Sequence, residues 1–112
     1  MKRISYSGES VVTGDDIASA LVDYAAELGR ADSSDSVTIP TRTDSGASPV
    51  TFLIGPASQI VVSDDTETEG EELVDTAVVD ELNRRRQRVG PPRGMISSYS
   101  DESSIADFPD FA

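Results

Sequence analysis

Thr13-Gly14-Asp15-Asp16-Ile17-Ala18-Ser19-Ala20-Leu21-Val22-Asp23-Tyr24-Ala25-Ala26-Glu27-Leu28-Gly29 sets the architecture of this chain. Ile17, Ala20, Leu21, Tyr24, Ala25 and Leu28 recur at spacings of three and four, which makes one apolar stripe on a helix. Ser19, Asp23 and Glu27 fall on the opposite face. Thr13 reads as the N-cap, Asp16 stands where a capping-box acid belongs, and Asp15 suits the positive end of the dipole. Gly29 reads as the residue that ends the helix. The expectation is a helix over about 15–28.

Strand signals lie on both sides of it. Arg3-Ile4-Ser5-Tyr6 alternates polar and apolar residues up to a turn at Ser7-Gly8-Glu9, and a short Val11-Val12 follows. Val37-Thr38-Ile39 stops at Pro40, a residue confined to strand ends and sheet edges. Val50-Thr51-Phe52-Leu53-Ile54 is a β-branched and aromatic run, broken by Gly55-Pro56, and Ile60-Val61-Val62 is a third run. The last three read as an antiparallel meander covered by the helix, with Leu53 pointing away from Phe52 and Ile54 on a strand buried on both faces. A second helix is expected after the acidic linker 63–72, with Leu73, Val74, Ala77, Val78 and Leu82 as its stripe. Glu71 and Glu72 would sit at its start and Arg84, Arg85, Arg86 and Arg88 at its end, before Gly90-Pro91-Pro92 stops it. No internal repeat is present.

The fold expected is therefore α+β: a small three- to four-stranded antiparallel sheet packed against two helices, over residues 1–90. Residues 91–112 read as a flexible, disordered, Pro/Ser/Asp-rich acidic tail. Leu, Ile, Val and Phe supply 26 of the 112 residues, and 21 of those lie in residues 1–82, so the apolar material needed for a core is concentrated ahead of the tail. A domain of this size buries only a little over ~60% of its unfolded surface. So thin a core would benefit from homodimerisation.

The formal net charge is -12, with 21 acidic and 9 basic residues and neither Cys nor His. That composition excludes disulfide scaffolds, zinc fingers and every nucleophile or acid/base that depends on Cys or His. No apolar run approaches the ~18 residues that span a bilayer, and no signal peptide opens the chain. Arginine outnumbers lysine eight to one, the usage of a GC-rich genome. With nothing that needs an oxidising compartment, the reading is a cytoplasmic prokaryotic protein.

The charge is segregated. Residues 64–82 carry nine acids and no base, 83–100 five bases and no acid, and 101–112 four acids and no base. The cluster Arg84-Arg85-Arg86-Gln87-Arg88, with Arg93 beyond it, is the one basic patch. It could meet nucleic-acid phosphates, but four arginines neutralise only about four phosphates against a strongly acidic body, and no aromatic interleaves with them. A calcium loop begun at Asp65 would place Thr76 where a bidentate Glu must close the site. Asp15-Asp16 is explained by capping, and Asp64-Asp65 lies in a linker with nothing to desolvate it. No metal, cofactor or catalytic residue is expected, and the protein reads as non-enzymatic.

The tail holds Phe108, Asp110 and Phe111, two of the chain's three phenylalanines interleaved with acids. In kind it resembles the acidic, aromatic-ended tails by which bacterial single-stranded-DNA-binding proteins recruit partners. It departs from them in ending on Ala112, and the domain before it does not read as an OB barrel. The resemblance implies docking of a protein partner through Phe108, Asp110 and Phe111. The leading functional expectation is a small acidic protein-interaction module or adaptor. The alternative is a nucleic-acid-associated regulator, antitoxin-like or repressor-accessory, that uses Arg84, Arg85, Arg86 and Arg88.

Overall fold

The computed structural model describes residues 1–68 and 70–89. Its elements are β1 (Lys2–Tyr6), β2 (Glu9–Thr13), α1 (Asp15–Arg30), β3 (Asp35–Thr43), β4 (Gly46–Ile54), β5 (Ile60–Asp64) and α2 (Thr76–Arg88). The class is α+β. The strands form two antiparallel sheets, one in the order β2-β1-β5 and the other a β3-β4 hairpin. The expected tail, including Phe108, Asp110 and Phe111, lies outside the described residues.

Local chemistry explains both hairpins. Ser7 and Gly8 both take positive φ, 54° and 83°, between the paired residues Tyr6 and Glu9; this is the two-residue turn whose twist suits adjoining strands. In the second hairpin Pro40 faces Pro49 in register. Neither has an N–H, so this is a pair whose carbonyls point away from the partner strand. Pro40 uses its carbonyl to accept the Thr13 hydroxyl at 2.7 Å, which ties β3 to the end of β2. By the same alternation Thr51 and Leu53 turn their amides toward the free edge of β4.

One core joins these elements. Ile4 from β1, Val37 and Ile39 from β3, and Phe52 and Ile54 from β4 pack with Ile17, Leu21, Tyr24 and Leu28 of α1 and Leu82 of α2. The Tyr6 and Phe52 rings approach to 5.3 Å between centroids in a tilted arrangement, which stitches the two sheets together at one end.

Several details differ from the sequence-based expectations. The strand 60–64 does not follow β4 in a meander but crosses to pair with β1, Ile4 opposite Val62. Leu53 is 68% exposed, because β4 belongs to a two-stranded sheet and only its Phe52–Ile54 face meets the core. Thr13 is fully buried and its hydroxyl serves β3, so the N-cap of α1 is Gly14 with no side-chain cap. Glu72 reaches back instead, and its carboxylate accepts the Asp15 N–H at 2.5 Å. The helix α2 accordingly begins later than expected, with Asp75 as its N-cap accepting the Val78 N–H at 3.2 Å.

The helix α1 also runs past Gly29 to Arg30. Ser33 N–H bonds the Leu28 carbonyl at 2.9 Å and Asp32 N–H bonds the Gly29 carbonyl at 3.2 Å, with Asp32 at φ 56°. This is a Schellman closure with an acid in the left-handed position where glycine is usual. Asp32→Gly removes that strain and a negative charge from the helix's negative end. It is expected to stabilise the domain by about 1 kcal/mol and raise Tm by roughly 4–8 °C, measured by thermal melts.

Candidate interaction surface

Strand β4 and the loop 55–59 build the surface with the least polar chemistry. Within the loop the Gly55 N–H bonds the Ser58 hydroxyl at 3.0 Å and the Ser58 N–H bonds the Gly55 carbonyl at 3.1 Å. These bonds hold Pro56 and Ala57 outward in a fixed turn. On one side of the loop lies an open groove of about 800 Å³ whose lining includes Tyr6, Leu53, Pro56, Ala57 and Val61. On the other side a second depression reaches across to Val22 and Ala26 of α1. The two are lined by eighteen different residues, none of them charged. In a chain that is 27% charged, that absence marks the region out. Leu53 and Val61 are 68% and 62% exposed, and an exposed apolar patch with a polar rim is the usual mark of an interaction site.

The edge of β4 is blunted beside this groove. The Tyr6 hydroxyl donates to the outward carbonyl of Leu53, and Pro49 offers no N–H. Strand addition is blocked at both points, which leaves the face rather than the edge as the means of contact.

The arginine cluster resolves into separate roles. Arg85 donates to Glu81 at 2.9 Å, to Asp35 at 3.1 Å and to the Ser36 carbonyl at 3.2 Å, so it fastens α2 to the start of β3. Arg84 is paired with Glu81 at 2.8 Å. Arg86 is half-buried, and its Nε has no hydrogen-bond partner among the described residues. Arg88 is exposed. The structure therefore places the four on one helix without offering them together as a phosphate-binding face. Helix phase carried a signal for Arg85, which stands three residues after Leu82 and four before Val89 on the inward stripe.

Asp35 is the hub of this network, because it also accepts the Tyr24 hydroxyl at 2.6 Å. That bond, with the Arg85 guanidinium adding to it, holds the Asp35 carboxyl below its ordinary range. Glu81 is held low by Arg85 and then Arg84. In the linker, Asp65 is held low by the Thr68 hydroxyl and then by Arg3 at 2.8 Å, so this acid is not solvated as its sequence context implied. Asp64 pairs with Lys2. The linker is thereby bound to β1, and among the described residues no three acids converge as a metal ion would require.

No family model matches the chain, and no curated protein or solved structure is significantly similar to it. Among the described residues no helix is long and apolar enough to cross a membrane. The reading of the surface rests on its own geometry.

These shifts set the pH behaviour. Asp35, Asp65 and Glu81 have folded pKa values below their unfolded ones, so the unfolded chain binds more protons in the window between them. Their contribution is complete above about pH 5 and is lost as pH falls through and below the ordinary carboxylate range. Tyr24 runs the other way. Burial, then its bond to Asp35, pushes the phenol from 10.0 up to about 12; its contribution is complete below about pH 10 and is lost as pH rises toward 12. Spectrophotometric titration is expected to show one phenol of the folded protein ionising near pH 12, and Tyr24→Phe should remove that step.

Proposed function

We propose that this protein is a small, non-enzymatic, acidic interaction module that engages a protein partner. The observation that supports the reading is the charge-free surface around the loop 55–59, from which Leu53 and Val61 project. Interface cores are depleted of charge and built on apolar anchors, whereas catalytic clefts converge on titratable groups with shifted pKa values. Here the shifted carboxyls Asp35, Asp65 and Glu81 are engaged in internal ion pairs. Phe108, Asp110 and Phe111 are proposed as a second docking element, on the sequence pattern alone. The nucleic-acid reading draws less support, since Arg84 and Arg85 already hold carboxylates.

Pull-down with the full chain tests this. Leu53→Asp is expected to abolish capture of a specific protein, and Phe108→Ala with Phe111→Ala to weaken it. Retention of the same protein by Leu53→Asp would overturn the surface. Capture of nucleic acid that is lost when Arg84, Arg85, Arg86 and Arg88 become Ala would overturn the protein reading itself.

A further inference from the structure

Resting on that reading, we propose that the occupant of the charge-free face is a second copy of this chain, meeting it face to face through Leu53, Val61 and the loop 55–59. The distribution of charge carries the inference. Each copy bears a net charge of -12, and like charges brought together across an interface cost several kcal/mol. A homodimer of such a chain must therefore close where neither copy presents charge. The two depressions beside the loop 55–59 provide such a surface, whereas the depression against α2 includes Asp35, Arg85 and Arg88, and the one beside β3 includes Arg3, Arg42, Asp44 and Glu67. An acidic or basic partner would find no complementary charge on this face, and a copy needs none.

Size agrees with a modest dimer. Eighteen lining residues fall just short of the ~20–30 a side of a standard interface, which points to a reversible dimer. Contact is made by side chains, since Tyr6 occupies the Leu53 carbonyl and Pro49 interrupts the edge of β4. Leu53 opposed across a two-fold axis supplies the anchor, and the core gains the apolar cover that a domain of this size lacks.

Sedimentation equilibrium on the full chain tests the proposal, from about 20 mM to about 500 mM salt, a range over which exposed charges become largely screened. A monomer–dimer equilibrium is expected whose dimer fraction rises with salt, because salt removes the repulsion between the two acidic bodies. Leu53→Asp and Val61→Asp should each weaken the dimer about tenfold or more, the effect of placing like charges in an interface core. Val74→Asp, at a side chain 67% exposed outside both depressions, should leave it unchanged. Circular dichroism confirms that each variant folds. A monomer at every salt concentration overturns the proposal, as does a dimer that salt weakens or that Leu53→Asp leaves intact. A monomer that dimerises when Phe108 and Phe111 become Ala also overturns it, with the tail as occupant. If the purified chain is monomeric yet Leu53-dependent capture of a different protein persists, the self-association fails and the interaction reading stands.

Discussion

Gly14→Ala is expected to destabilise the domain by about 1–3 kcal/mol or more, the range for overpacking a tight contact. Gly14 has ordinary extended dihedrals, so conformational freedom is not the reason. A Cβ there would overlap the Leu73 carbonyl oxygen and lie 2.9 Å from its carbon, and both atoms are backbone that cannot rotate aside. Segment 71–74 would have to move, taking Glu72 away from the Asp15 N–H and from the N-terminal ammonium it meets at 3.2 Å. Each kcal/mol lowers Tm by roughly 4–8 °C in a domain of this size. Gly29→Ala is the control: nothing lies within 4 Å of its added methyl, and alanine is favoured by about 1 kcal/mol in a helix interior. Denaturant melts that place both variants within about 0.5 kcal/mol of each other would contradict the packing described, since surface changes stay inside that range.

Leu82→Ala is expected to cost about 2–5 kcal/mol, the range for truncating a buried leucine. Leu82 is the one fully buried side chain of α2, flanked by partly buried Val78, Val79 and Val89. Against a total stability of about 5–15 kcal/mol, loss of this anchor releases α2 before the rest of the fold. Amide exchange should rise across 76–88, and the Tyr24 phenol should titrate closer to its ordinary value as the Asp35–Arg85 network loosens. A cost below about 1 kcal/mol with unchanged exchange in α2 would mean that the helix is not held by its core contact.

The sequence made α1 legible because a period of 3.6 and a cluster of small apolar residues admit one amphipathic reading. It made the strands legible too, since alternation and β-branched runs mark extended chain. It left their partners open. Ile60–Asp64 alternates identically whether it pairs with β4 or β1, and what decides for β1 is long-range packing of Ile4 against Val62. The run Val50–Ile54 reads as buried on both faces because every residue but Thr51 is apolar, yet a two-stranded sheet leaves one face open. That misreading concealed the candidate surface, since the same Leu53 that implied a central strand is its most exposed apolar residue. Glu72 shows the same limit for charge. An acid near a helix start is readable, but here the helix it serves is α1, more than fifty residues back along the chain.

The most direct test of the central claim places a photo-crosslinking side chain at position 53 of the full-length chain, with position 74 as the control. Both sites are equally open to solvent, at 68% and 67%, so exposure alone cannot separate them. The account predicts protein adducts at 53 that excess unlabelled wild type competes away and excess Leu53→Asp does not, with none at 74. Equal labelling at the two positions, or none at 53, would contradict it.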